Sequence, residues 1–430
     1  MENWQSALAV GVFVSVIVLL MTDWLHMTLV ALLGALILVF SSVMSLNQAM
    51  EYIGQSHTTL ALFFGVMVMV RAFEPTKVFE YLSTQMIRLS RGKGKLILIA
   101  ITLVTGLFSS LLPNATTVLL LAPLLPPLAE LIEVDFVPLL VLMALAANSG
   151  GLLTLVGDPV NFIVGESLKM TFLQYLFQLS NSGILALMVL LLTLPFLFPV
   201  LWKTELGSLD HIPIPSINHP RTLTIGIGIV CLVLVFFTIG DTFPVKISPA
   251  SVALLGATLC MVLSHVTRID TVSHILRDVD WSTLIFFMSF FVLIGSLEET
   301  GVISRLAELL TPLLGQNRSL SVFALLWITG LLSSVVPNIP LVVAMVPLLN
   351  QYLANVNTSQ AENLPLFYAM MIGATLGGNA TLVGASANLV AAGVSEQHGR
   401  VMSFERFFHL GFPVAIAQLG ISSLFLLTKL

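Results

Sequence analysis

Charge is what this 430-residue chain has least of: only 9% of its residues are Asp, Glu, Lys or Arg, against about 25% in a soluble globular chain. Hydrophobic residues make up 57%, and the mean hydropathy is +1.02. That balance excludes a disordered chain and argues against a soluble enzyme, since no soluble fold could cover so much apolar surface. Cysteine is nearly absent. Cys231 and Cys260 each lie inside an apolar run, which predicts buried fillers and no disulfide framework. The eight histidines are scattered, with no HExxH or CxxC motif, so a dedicated metal enzyme is not expected. The formal charge of −5 comes without a basic, aromatic-laced stripe, leaving nucleic-acid binding unsupported. No GxxxxGK[ST] run occurs, and Gly150-Gly151-Leu152 lacks a strand–turn–helix setting, which argues against ATP-driven transport. No signal-peptide pattern is evident, and the apolar run from Ala7 to Met21 reads as a first span.

What is abundant is span-length apolar sequence. Ten full spans are predicted, at about 7–21, 27–44, 60–73, 137–164 and 184–202, then 223–240, 251–264, 281–297, 366–394 and 408–427. Two apolar stretches remain, 96–131 and 321–349, and each is divided by a Pro-Asn pair, Pro113-Asn114 and Pro337-Asn338. Proline lacks an amide hydrogen and disfavours helix at the residue before it. Re-entrant hairpins explain such stretches, provided that protein or a cavity surrounds the irregular backbone.

The pattern occurs twice. Ser109–Asn114 recurs as Ser333–Asn338 at an offset of 224, and Thr154-Leu155-Val156-Gly157 recurs as Thr381-Leu382-Val383-Gly384 at 227. The expected organisation is a first repeat over 1–204, a Pro-rich linker over 205–221 with Pro213 and Pro215, and a second repeat over 222–430. Five spans and one hairpin per repeat would invert the second against the first. The fold class is therefore an all-α polytopic membrane protein of two inverted repeats, an architecture of secondary transporters. Placing the 77–95 loop in the cytoplasm leaves only Lys169, Lys246, Arg305, Arg318 and Lys429 outside, a division of 12 to 5 with both termini outside. Trp24, Trp202 and Trp281 fall near span ends, as an interfacial belt requires. Segments 77–91 and 302–310 read as amphipathic surface helices, either bracing the hairpins or simply connecting spans.

Polarity and glycine converge on the hairpins and on the two broken spans, 137–164 and 366–394. The candidate substrate- and ion-binding residues are Asn114, Thr116 and Thr117; Asn148, Ser149, Gly150, Thr154, Asp158 and Asn161; Asn338; and Gly378, Asn379, Thr381, Ser386 and Asn388. A mid-membrane break exposes carbonyls that can surround a cation and helix amides that can face an anion. Sodium is expected near Asn114, Ser149, Asn338 and Asn379. A blander role is also open to the asparagines, capping the hairpin arms. Asp158 is the one acid deep in the repeated motifs, and its counterpart is Ala385. It reads either as a cation ligand or proton carrier, or as the cap of a helix starting at Pro159. Glu74, Glu166 and Glu298-Glu299 read as surface groups at span ends or loops.

Three stretches carry a family resemblance: NATTVLLLAP at 114–123, TLVGDPVN at 154–161 and GGNATLVGASANLVAAGVSEQHG at 377–399. They resemble the ion transporter superfamily, in particular its arsenical pump membrane protein and melanocyte P protein branch. NhaD-type sodium/proton antiporters and divalent anion/sodium symporters are more distantly similar. The resemblance implies inverted repeats, two re-entrant hairpins, a site between hairpin tips and broken helices, and a homodimer. It also implies arsenite or another small anion as substrate, with Na+ or H+ coupling. The Asp-Asn pair usual at both tips of P protein relatives is Pro-Asn here. The expected function is an ion-coupled secondary transporter of a small inorganic anion in the plasma membrane, with no other cofactor. The alternatives are a Na+/H+ antiporter using Asp158, and an ion channel or non-transporting membrane scaffold.

Overall fold

A computed structural model of the chain describes residues 3–22, 25–90, 92–205, 216–240, 243, 247–314 and 317–430. Trp24, Arg91, Pro213, Pro215, Lys246 and most of the linker lie outside these residues. Among the described residues the protein is all helix, apart from one isolated bridge between Lys93 and Glu205. The first half comprises α1 Asn3–Thr22, α2 Met27–Phe40, α3 Leu46–Gln55, α4 His57–Phe73, α5 Val78–Leu89, α6 Gly94–Ser109, α7 Asn114–Leu121, α8 Leu125–Leu131, α9 Val137–Gly151, α10 Pro159–Ser167, α11 Phe172–Leu197 and α12 Pro199–Lys203. The second comprises α13 Pro220–Ile239, α14 Pro249–Val266, α15 Val272–Arg277, α16 Trp281–Glu299, α17 Val302–Leu314, α18 Arg318–Ser333, α19 Asn338–Asn355, α20 Leu364–Gly377, α21 Ser386–Gln397 and α22 Phe404–Leu427.

Seven of these helices (α1, α4, α11, α13, α14, α16 and α22) are long and apolar enough to cross a membrane, and α2, α6, α9 and α18 are shorter apolar helices. Their outward faces carry Phe40, Phe177, Leu192 and Phe196, each more than two-thirds exposed. Such a surface is untenable in water and natural in a bilayer. Cys231 belongs to that exposed face, contrary to its expected burial, while Cys260 is buried. Both predicted surface helices form, as α5 and α17. The span expected at 184–202 begins twelve residues earlier, at Phe172. There Thr171 and Gln174 form a capping box that starts the helix, and Ser180 and Ser182 in its body satisfy their hydroxyls on backbone carbonyls. Periodicity alone did not reveal α3, which starts on a Ser45/Gln48 capping box, or the short α15.

Each predicted broken span is two helices. α9 and α10 are separated by 152–158, and α20 and α21 by 378–385. The sequence repeat is matched bond for bond at these breaks. Ser109 Oγ donates to the Ala147 carbonyl at 2.8 Å, and Ser333 Oγ to the Ala374 carbonyl at 2.6 Å. Thr154 Oγ1 donates to the Ser110 carbonyl, and Thr381 Oγ1 to that of Ser334. Asn161 Nδ2 donates to the carbonyls of Gly151 and Thr154 at 2.7 and 2.9 Å; Asn388 Nδ2 donates to those of Gly378 and Thr381 at 2.9 and 2.8 Å. Backbone carbonyls at the breaks are thus satisfied by side chains in both halves, as a dry interior demands.

Glycine permits the helix crossings that bring the breaks together. A Cβ on Gly150 would stand 2.4 Å from the Gly106 carbonyl oxygen, and one on Gly377 2.1 Å from that of Gly330. α9 therefore touches α6 backbone to backbone, and α20 touches α18 in the same way.

Candidate functional site

Four helices begin at one cavity. α7 starts at Asn114, α10 at Pro159, α19 at Asn338 and α21 at Ser386, and all four residues line it. The cavity holds about 70 Å³, room for a small ion with a few waters, whereas a drug-sized ligand fills about 300 Å³ or more. Phe63, Met67, Phe286 and Phe287 form an apolar wall, and the cavity reaches the exposed Asp280 at the start of α16. The positive ends of four helix dipoles converge on it.

Asp158 lies in this wall with no solvent exposure. One carboxylate oxygen accepts the Val160 amide at 2.8 Å, and the other accepts Asn114 Nδ2 at 2.5 Å. Its capping role and its place in the cavity therefore coexist. No Lys, Arg or His pairs with it among the described residues, so its charge meets only neutral donors in a region where an unpaired carboxylate is costly. Ser109 Oγ lies 2.6 Å from Asn114 Oδ1 as well as 2.8 Å from the Ala147 carbonyl, two acceptors between which its single proton is shared.

Behind the cavity a chain of buried amides joins the two halves. Asn114 Nδ2 reaches Asn148 Oδ1 at 3.4 Å. Asn148 Nδ2 donates to Asn379 Oδ1 at 2.9 Å and to Asn388 Oδ1 at 3.1 Å. Asn379 Nδ2 donates to Gln418 Oε1 at 2.8 Å, and Gln418 Nε2 donates to Ser149 Oγ at 2.8 Å and to the Ala186 carbonyl at 3.0 Å. Every residue of this chain is almost wholly buried.

Most of the predicted residues fall into three places. Asn114, Thr116, Asp158, Asn338 and Ser386 line the cavity. Asn148, Ser149, Asn379 and Asn388 form the chain behind it, so of the four predicted sodium neighbours only Asn114 and Asn338 face the open space. Thr154, Asn161 and Thr381 brace backbone carbonyls at the breaks. Gly150 packs on α6, and a Cβ on Gly378 would stand 2.8 Å from the Gly384 carbonyl oxygen. Thr117 is buried outside the lining, with its hydroxyl unpartnered among the described residues.

Sequence reasoning missed Gln418, a lone amide in the final apolar span. Glu166 and Glu299 are not simply solvated: Glu166 accepts from Thr59 Oγ1 at 2.6 Å, and Glu299 from Tyr52 and Gln48. At the opposite end of α4, Arg71 pairs with Asp278 at 2.7 Å and with Glu74 at 3.2 Å.

The family model described as CitMHS, citrate transporter, matches residues 17–373. An uncharacterized transporter of Synechocystis is 56% identical over 98% of this chain and 97% of its own length. An uncharacterized transporter of Mycobacterium tuberculosis is 34% identical over 98% of both. The human P protein is 29% identical over 98% of this chain, which spans 60% of that longer protein. In fold the chain is similar to the YdaH transporter of Alcanivorax borkumensis, with a TM-score of 0.63 and 13% identity over 91% of this chain and 88% of that one.

Proposed function

The chain belongs to the citrate-transporter (CitMHS) family, making it a membrane transporter and not an enzyme, and on that premise we propose a cation-coupled carrier of a small inorganic anion. The reading rests on one observation: a cavity too small for a large organic substrate sits among four helix starts, with a single buried carboxylate on its wall. Helix N-termini favour an anion, and Asp158 supplies a buried carboxylate to which Na+ or H+ can bind. Arsenite-like and other oxyanions are the substrate class, by resemblance to the arsenical pump branch. Two inverted repeats of five spans and a re-entrant hairpin would alternate access to the cavity by moving against each other. The matched bonds at 109/333, 154/381 and 161/388 support such a repeat. The carrier would lie in the plasma membrane as a homodimer, with both termini outside and the Arg71–Asp278 cluster inside.

The test is reconstituted transport with a panel of arsenite, phosphate, sulfate, dicarboxylates and halides, with and without Na+ and H+ gradients. One small anion should move only with a cation gradient, and Asp158→Asn should cut that coupled flux by about tenfold or more. Anion flux indifferent to both gradients would remove the coupling. A second reading, Na+/H+ exchange at Asp158, is favoured by the absence of a basic partner for that carboxylate. It requires cation exchange without any anion, lost together with its pH dependence in Asp158→Asn.

A further inference from the structure

The four helix starts are not equivalent, and the difference lies in their amide hydrogens. The first turn of a helix leaves its N–H groups without partners inside the helix. At α10 these are used up: Pro159 has no N–H, and the Val160 amide donates to Asp158. At α19 they are used up by other means. The Asn338 amide donates to the Gly384 carbonyl at 3.1 Å, the Ile339 amide to Asn338 Oδ1 at 3.0 Å, and Pro340 has none to give.

α7 and α21 differ. Their preceding residues, Pro113 and Ala385, provide no side-chain cap. The amides of Asn114, Ala115 and Thr116 on α7, and of Ser386 and Ala387 on α21, have no acceptor among the described residues. The hydroxyls of Thr116 and Ser386 are likewise unpartnered there and line the cavity. α7 packs against α21, and α10 packs against α19, so the open starts form one seam and the closed starts another. A separate observation points to a ligand. Asn338 is 3% exposed and lines the same cavity, yet its Nδ2 donates to nothing among the described residues.

We infer that the α7/α21 seam is the anion subsite of the carrier, with the coupling cation beside it at Asp158, which caps α10 and accepts Asn114 Nδ2 at the start of α7. The inference deepens the anion-carrier reading and rests on it. Open amides, an amide NH2 and two hydroxyls offer hydrogen-bond donors almost exclusively. They match a ligand that presents acceptor oxygens, namely a deprotonated oxyanion or a carboxylate. The coupling is also one-sided: the position equivalent to Asp158 is Ala385, so only the first half supplies a carboxylate for the cation.

The chain carries its own control for this assignment. Ala385→Asp with Ser386→Pro copies the closed cap of α10 onto α21, removing the Ser386 amide and hydroxyl and placing a carboxylate at the seam. Equilibrium binding of radiolabelled inorganic phosphate, sulfate and acetate is measured on full-length protein in nanodiscs, with thermal unfolding as the check on folding. One of these anions should bind the wild type, and the double variant should bind it about tenfold more weakly or worse. Should the double variant fail to fold, Thr116→Val removes one donor at constant shape and should weaken the same anion severalfold. The reciprocal pair, Asp158→Ala with Pro159→Ser, should leave an anion affinity that Na+ and protons no longer strengthen. Wild-type affinity in folded seam variants overturns the seam and leaves the anion reading standing. A wild type that binds none of the three anions overturns both.

Discussion

The breaks after α9 and α20 share one scaffold and differ at one position. In both, a serine hydroxyl ties the end of one helix (α6 or α18) to its neighbour, a threonine holds the next carbonyl, and an asparagine gathers two carbonyls of the break. The next helix then starts after Asp158 in one half and after Ala385 in the other. The hydrogen bonds that let a chain break inside a membrane are thus separable from the groups that give the break its chemistry. The first kind must be present twice; the second is free to diverge.

The largest effects should fall on the shared part, and equally in both halves. Gly150→Val and Gly377→Val each force a side chain into a carbonyl at a backbone crossing, beyond the ordinary overpacking cost of about 1–3 kcal/mol. Neither variant should give a monodisperse peak in size-exclusion chromatography. A tolerant half would show that the two crossings are not equivalent.

An intermediate effect should break the symmetry. Asn148 and Thr375 are equivalent by the repeat, but Asn148 bonds to Asn114, Asn379 and Asn388 while the buried Thr375 hydroxyl has no partner among the described residues. Asn148→Leu should lose about 2–3 kcal/mol in thermal or denaturant unfolding, because it strands three buried amides. Thr375→Val should be neutral or slightly stabilising. Similar losses in both would mean that the amide chain contributes nothing beyond packing.

The smallest effect belongs to the surface. Asp135 at the start of α9 pairs with Arg406 on α22 at 2.5 Å. Burial opposes its ionisation, but the Val137 amide and the Arg406 guanidinium outweigh this and hold its carboxyl below 3.8. A depressed carboxyl stabilises the fold above its unfolded pKa, and that stability is lost as pH falls through the lower folded value. Asp135→Asn should therefore remove about 1 kcal/mol or less at neutral pH. Against the wild type, the difference should begin to shrink as pH falls past 3.8 and vanish only below the still lower folded value.

Much of this molecule was legible because breaking a helix in a membrane requires unusual residues. Pro113-Asn114, Pro337-Asn338 and the glycine-rich runs betray the breaks, and the 224 and 227 offsets betray their repetition. Asp158 stood out because acids are rare there. Gln418 did not, since one amide in an apolar span has no repeat partner: the residue 227 positions earlier is Leu191. The closed start of α19 was legible only in part: Pro340 and the Asn338 side chain are local, whereas the Gly384 carbonyl that takes the Asn338 amide comes within reach only after folding.

The amide chain from Asn114 to Gln418 also bears on how tightly the protein holds back the membrane's proton gradient. A row of hydroxyls, waters or imidazoles can pass a proton along by exchanging covalent and hydrogen bonds. A carboxamide can do so only by becoming an imidic acid, which is a poor intermediate. The links Asn114–Asn148–Asn379–Gln418 thus connect the two halves mechanically while insulating them from each other for protons. A proton that reaches Asp158 has no conducting route through this row.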